Sequence, residues 1–331
     1  MSEEILKKKV KKDKKDMTFR EKVIENVNVV LSAYAIAFVI RLLLIEAYQI
    51  PSQSMVPSLL VKDILMVEKV SFGTYIPIVH WKIPGFLSPK RNDVIVFISP
   101  EWKSPGAGQE FVSLLSLSLI NLDNTFDTPK NLVKRLVGLP GDRISMSNRQ
   151  LTINGAPVET TEIGTVNEVI YDRMVRITRF DFDLREEKFD GKTRVVQRSS
   201  GDIDLRQRSE VYRFPEIIVP RKGVPIVFTN CNDYYRGLVK LLVERESGKS
   251  VDVRNGRFFL DGREITEWKP ADDYYFAMGD NRDFSQDCRY FGFIPRNNIF
   301  GRPLFRYFPF TRLSFGVNEK TSTVMERNFN Q

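Results

Sequence analysis

One stretch limits what this chain can fold into more than any other. Val27–Ile45 (VNVVLSAYAIAFVIRLLLI) is a near-continuous apolar run interrupted by Asn28 and Arg41. As a helix rising ~1.5 Å per residue, it just covers a hydrocarbon core of about 30 Å. Residues 1–22, immediately before it, carry nine Lys or Arg against five acidic side chains, a surplus that makes up half of the chain's net charge of +8. The positive-inside rule accounts for that surplus without any nucleic-acid partner. We read residues 1–22 as a cytoplasmic tail and 23–46 as a single retained transmembrane anchor, with the N-terminus inside and the bulk of the protein outside. A cleaved secretory signal and a core helix are the rival readings, but the run is longer than the apolar region of a typical signal and no other segment could anchor the chain. Arg41 falls about one turn from the outer end, within snorkelling reach of the interface, and Tyr48 is expected at the aromatic belt.

The remaining chain is long enough for one large or two ordinary domains, and 42% apolar with 28% charged residues describes a folded protein. Two cysteines, Cys231 and Cys288, give neither a disulfide framework nor zinc-type spacing, and their pairing stays open. His80 is the single histidine, read as surface or structural, so sites needing several histidine ligands are excluded.

Short β-branched runs at Ile64–Val70, Asp93–Ser99 and Leu132–Val137 are bounded by Gly, Pro or Asn and read as strands. Asn154-Gly155 and Asp261-Gly262 are hairpin signals. Helical periodicity is scarce beyond the anchor. The expected fold is therefore mainly β: an N-terminal transmembrane helix, then an antiparallel β-sheet domain carrying an inserted, smaller β-rich domain. The boundaries are 47–158 and 271–316 for the first, 159–270 for the second, and 317–331 for a polar tail. An insert at 101–130 contains Phe111–Leu122 (FVSLLSLSLINL), too short to span a bilayer as a helix. Its alternation suits a half-buried strand, packed in the core or dipping into the outer leaflet.

Just past the anchor, Tyr48–Leu60 (YQIPSQSMVPSLL) sets Ser52 and Ser54 between Pro51 and Pro57. Prolines fix φ and remove donors, so this is a stiff extended loop suited to presenting a nucleophile. With histidine nearly absent, its base must be of another type. Lysine serves when burial disfavours the ammonium and lowers its pKa. Lys134, among Leu132, Val133, Leu136 and Val137, is the candidate, with Arg135 pointing to the opposite face of the strand.

Four ordered blocks now carry a resemblance: PSQSMVPSLL, KRNDVIVF, VKRLVGLPGD and MGDNRDFSQDCRYFGFIP, all after an N-terminal anchor. Together they resemble the type I bacterial signal peptidases, Ser-Lys membrane proteases, over the anchor, 48–100, 131–155 and 275–316. The resemblance implies that Ser54 attacks the scissile carbonyl, Lys134 is the general base, and Ser52 joins the Ser54 N–H in an oxyanion hole. It implies that Ser285 orients Lys134, and that Asp280, Arg282, Asp287 and Arg289 form an ion-pair scaffold behind it. By the same similarity, Ile50, Met55, Leu59, Leu65 and Val133 line shallow pockets for small side chains at −1 and −3. The implied partners are preprotein signal peptides, membrane lipid and transiently the secretion machinery, with no cofactor and no metal. Three positions depart from the family pattern: Gln53, at a variable spacer position that is often Gly, Asn92, where Gly is usual, and Cys288, where Ser is common.

Overall fold

Thr18 opens the first helix by a reciprocal cap: its side chain accepts the Glu21 N–H, while the Glu21 carboxylate accepts the Thr18 N–H. The computed structural model describes residues 18–76, 81–116, 131–170, 178–200 and 213–316. His80 and part of the 101–130 insert lie outside them. Helix α1 (Phe19–Leu43) has a mean hydropathy of 1.9 over its most apolar window and buries none of its residues against the rest of the chain. A helix apolar all round and unburied by protein suits a bilayer and not water.

The helix stops earlier than the sequence suggests. Ile45 already belongs to β1 (Ile45–Gln49), because Glu46 binds Arg41 and Lys69 at 2.8 and 2.7 Å and ties the helix end to the sheet. Tyr48 is consequently a sheet residue. It donates to Glu46 Oε2 at 2.7 Å and its ring packs on Phe300.

After β1 come β2 (Ile64–Glu68), β3 (Val94–Ile98), helix α2 (Ala107–Leu115), β4 (Asn131–Gly138), β5 (Arg143–Ser147) and β6 (Gln150–Ile153). A meander of β7 (Glu159–Ile170), β8 (Thr178–Phe189) and β9 (Lys192–Ser199) follows, then β10 (Phe214–Ile218) and helix α3 (Asp233–Ser247). The chain closes with β11 (Tyr274–Met278), β12 (Ile294–Pro295) and β13 (Ile299–Phe308). The main sheet has the order β1-β2-β13-β3-β4-β11-β12, and its pairings are antiparallel. β7-β8-β9 is a separate sheet, and β10 joins β5 and β6 in another. Both hairpin signals hold, with φ of 52° and 80° at Asn154 and Gly155 and 50° and 76° at Asp261 and Gly262.

Two elements differ from the sequence reading. Residues 107–115 form a helix and not a strand, leaving Phe111, Val112 and Leu115 exposed, and the Tyr34 hydroxyl of α1 donates to the Leu115 carbonyl. Helix α3 is also unforeseen, although its signals are in the sequence. Asn232 caps it through the Tyr235 N–H, Leu238, Val239, Leu242 and Val243 form its buried stripe, and Gly248 ends it at φ 68°. That stripe packs into a core shared with Ile95, Leu136, Phe214, Phe258, Phe276 and Phe293, so one apolar interior supports β3, β4, β11 and the region around α3.

Candidate active site

The stretch between β1 and β2 is closed on itself before it meets anything else. The Ile50 N–H donates to the Asp63 carbonyl and the Lys62 N–H to the Ile50 carbonyl, both at 2.8 Å, and Asp63 Oδ2 accepts the Leu60 N–H. Within this loop Gln53–Met55 makes one 3₁₀ turn, which puts Ser54 beside β4. Lys134 on β4, cross-strand from Ile95, donates from Nζ to Ser54 Oγ at 2.7 Å and to the Val133 carbonyl at 3.1 Å. Ser52 Oγ lies 3.3 Å from Ser54 Oγ.

Ser54 is 8% exposed and Lys134 3%, so the pair is almost dry. Burial lowers the Lys134 ammonium pKa to about 8; Asp287, Cys288 and Asp280 oppose the fall from a distance and Arg289 adds to it. Among the described residues no carboxylate reaches ion-pair distance of its Nζ, so the amine keeps a lone pair within reach of neutral pH.

The loop after β11 supplies the third side. Gly279 has no room for a side chain, since a Cβ there would overlap both the Ser54 carbonyl and Ser285 Oγ. The next residue's neighbour, Asn281, donates its N–H to the Ser54 carbonyl at 3.1 Å and its side-chain amide to the Gln53 carbonyl at 3.2 Å. Asn281 was not marked by the sequence reading, because a backbone donor leaves no signal in residue type.

The four expected scaffold residues are all buried here, but only two of them pair with each other. Asp287 takes Arg289 in a fork at 2.8 and 2.9 Å and accepts the Gly279 N–H at 2.9 Å. Asp280 instead pairs with Arg135, at 2.8 and 2.7 Å, and accepts the Ser58 hydroxyl at 2.6 Å. Arg282 pairs with Glu187 of β8. Burial alone would raise both aspartates, but Arg135 holds Asp280, and Arg289 with the Gly279 N–H holds Asp287, below the ordinary carboxylate range. Arg289 also donates to the Arg282 carbonyl at 2.6 Å, closing the loop.

Ser285 does not contact Lys134 as expected. Its Oγ is buried against Gly279 with no hydrogen bond to Lys134, whose amine is directed at Ser54 and the Val133 carbonyl, and it helps hold the Asp287 carboxyl down. Ile50, Met55, Leu59 and Leu65 are packed into one cluster with Val133 at its margin, next to the Ser54 turn. Cys231 and Cys288 are unbridged buried thiols; burial pushes Cys231 up to about 11 and Cys288 far above its usual range, with the Ala277 N–H donating to Cys288 Sγ. Asn92 shows why the family's Gly is replaceable: its φ is 72°, a left-handed conformation that Asn tolerates better than other side chains.

With this geometry in hand, comparison with known families is decisive: residues 23–308 match the family described as "Signal peptidase, peptidase S26". The chain belongs to that family. Chains of the peptidase S26 family are hydrolases, and the bounds of the match enclose the 101–130 and 159–270 stretches. Among curated relatives, Signal peptidase I of Buchnera aphidicola subsp. Baizongia pistaciae is 27% identical over 82% of this chain and 72% of its own length. Signal peptidase I of Haemophilus influenzae is 28% identical over 81% of this chain and 64% of its own length. A signal peptidase I structure from Enterococcus faecalis aligns over 65% of this chain and 97% of its own at 18% identity, with a TM-score of 0.22. An N-terminal helix long and apolar enough to span a bilayer fits a membrane-anchored member of the family.

Proposed function

We propose that this chain removes N-terminal signal peptides from exported preproteins by Ser-Lys acyl-enzyme catalysis at the outer face of the cytoplasmic membrane, with its N-terminus inside. The observation that carries the reading is the 2.7 Å contact between Ser54 Oγ and a buried lysine whose pKa has fallen to about 8. A lysine so placed serves as base for a hydroxyl, a recognised variant of triad chemistry.

In the reaction, Ser54 Oγ attacks the scissile carbonyl as neutral Lys134 accepts its proton. The oxyanion of the tetrahedral intermediate takes hydrogen bonds from the Ser54 N–H and the Ser52 hydroxyl; donors of this type contribute about 3–4 kcal/mol each. Lys134 then hands its proton to the leaving amine, which becomes the N-terminus of the mature protein. Water, deprotonated by the same lysine, cleaves the acyl-enzyme. Asp287–Arg289 and Asp280–Arg135 hold the Gly279 loop against the Ser54 peptide, and Ser285 fills the space beside Gly279.

The cluster of Ile50, Met55, Leu59, Leu65 and Val133 forms an apolar floor next to the Ser54 turn, which in this reading seats small −1 and −3 side chains. β11 pairs with β4 only from Arg135 onward, so Asn131–Lys134 keeps an edge that β11 does not cover, and an extended substrate adds there as a strand. Residues 47–158 and 271–316 are the catalytic part in this reading and 159–270 the accessory part. Anchoring by α1 holds enzyme and signal peptide in one plane, which raises their effective concentration. Lipid and, transiently, the secretion machinery are the further contacts.

The test is cleavage of a preprotein whose signal ends in Ala-x-Ala by the full chain in detergent or lipid. Ser54→Ala and Lys134→Ala should each lower kcat/KM by roughly 10⁴-fold or more while leaving the fold intact. Turnover by either variant near the wild-type rate would sink the mechanism.

A further inference from the structure

β8 and β9 lie in the accessory stretch, yet they are stitched to the catalytic loop. The Gln197 N–H donates to the Asp280 carbonyl and the Arg282 N–H to the Gln197 carbonyl, both at 3.0 Å, a short parallel bridge centred on Asn281. The Ser199 N–H donates to Asp283 Oδ2 at 2.7 Å. Phe284 of the loop packs edge-on against Phe182 of β8, with ring centroids 5.6 Å apart.

At the centre of this junction is Glu187, fully buried on β8. Its Oε2 accepts Arg194 Nε at 3.0 Å and Nη2 at 2.6 Å, its Oε1 accepts Arg198 Nη2 at 3.0 Å, and the Arg282 guanidinium binds Oε2 as well. One carboxylate thus balances three buried guanidiniums, two from the meander and one from the catalytic loop. Burial would raise its carboxyl, but Arg282, Arg194 and Arg198 hold it far below the usual range. The chain of contact is short: Glu187 holds Arg282, Arg282 follows Asn281, and Asn281 holds the Ser54 carbonyl.

We infer that Glu187 is a positioning residue for the peptidase reaction, fixing through Arg282 the Asp280–Arg282 backbone that holds the Ser54 peptide against Lys134. The inference rests on the Ser54–Lys134 reading above. The hydrogen-bond partners of Glu187 are Arg194, Arg198 and Arg282, so its loss should reach the Ser54–Lys134 alignment through Arg282 more than the apolar seat of the substrate. Misplacing a reacting group by about 1 Å costs on the order of 100-fold in rate.

The experiment measures kcat, KM, thermal unfolding and amide hydrogen exchange for the full chain in detergent, comparing wild type, Glu187→Gln, Glu187→Asp and Lys134→Ala. Below its unfolding temperature, Glu187→Gln should lose on the order of 100-fold in kcat with KM changed less than about threefold. Glu187→Asp, which keeps the charge and loses one methylene of reach, should recover about tenfold of that loss. Amide exchange at Asn281 and Arg282 should quicken in step with the fall in kcat. A lowered unfolding temperature with wild-type kcat in the folded variant would overturn the inference and leave Glu187 a structural residue only. If Glu187→Gln fails to fold, Glu187→Asp decides: reduced kcat with quickened Asn281 exchange supports the role, and unchanged values of both refute it. Failure of the catalytic reading shows elsewhere, as absent wild-type cleavage or full activity in Lys134→Ala, while the exchange rates still test the link.

Discussion

Lys134 and Arg135 follow one another on β4, carry the same formal charge and are both withdrawn from water, 3% and 0% exposed. Their surroundings differ in one respect. Arg135 meets a carboxylate in a two-point fork, with Ser58 and the Asn92 carbonyl among its further partners. Lys134 meets a hydroxyl and a carbonyl, and its nearest opposite charges act only from a distance. Pairing makes the arginine a structural pin. Its absence makes the lysine's proton cheap to lose, which is what a general base needs. Lys82 shows that a depressed pKa alone is insufficient. Burial and Arg296 lower it to about 7, yet its Nζ faces the backbone carbonyls of Arg296 and Ile299 and no nucleophile.

Breaking the paired member gives the largest stability change. Asp280→Asn leaves Arg135 buried without a counter-charge, and about 3–5 kcal/mol should be lost in chemical denaturation. The same change removes a carboxylate that favours charged Lys134, so any remaining activity should show its acidic limb at lower pH than wild type.

Neutralising the unpaired member should act in the opposite direction. The folded pKa of Lys134 lies near 8, below the ordinary lysine value of 10.5, so folding disfavours its proton. Lys134→Met should therefore raise stability at pH 7 by roughly 2 kcal/mol while abolishing activity. Between about pH 8 and 10.5 the unfolded chain binds this proton and the folded one does not. Wild-type stability should rise with pH through that window relative to Lys134→Met, and the gap between them should close. Denaturation curves at pH 7 and pH 10.5 check the sign.

The smallest effect tests the frame around Arg135. Asn92 is buried with φ 72°, and neither atom of its side-chain amide has a hydrogen-bond partner. Its carbonyl, which Arg135 uses, belongs to the backbone. Asn92→Gly should keep activity and change stability by less than about 1 kcal/mol, upward if removing the orphaned amide outweighs glycine's extra freedom when unfolded. Thermal melting measures it.

Much of this contrast was legible in the chain itself. Ser54 and Lys134 stood out because the ordered blocks resemble one family and because a lysine among Leu132, Val133, Leu136 and Val137 has little water nearby. The strands were readable from β-branched runs, and the Asn154-Gly155 and Asp261-Gly262 turns from their need for positive φ. What stayed hidden depends on distance along the chain. Nothing near Arg135 announces Asp280, which lies 145 residues away. Glu187 sits in a strand among Arg185, Glu186 and Lys188, where a charged residue reads as solvated, and only the meeting of β8 with the Arg282 loop buries it. The helix at 107–115 is not announced by the Ser-Leu alternation, most of which falls further along the run, outside the described residues. The Ser285 contact was carried over by resemblance, and side-chain direction is not fixed by motif.

The most direct test is titration of the Lys134 side chain, by NMR of the full chain carrying labelled lysine in detergent, set beside the pH dependence of kcat/KM. The account predicts an Nζ that titrates near pH 8, with the acidic limb of kcat/KM at the same pH and absent from Lys134→Ala. A Lys134 amine that stays protonated up to about pH 10, in an enzyme fully active at pH 7, would contradict it.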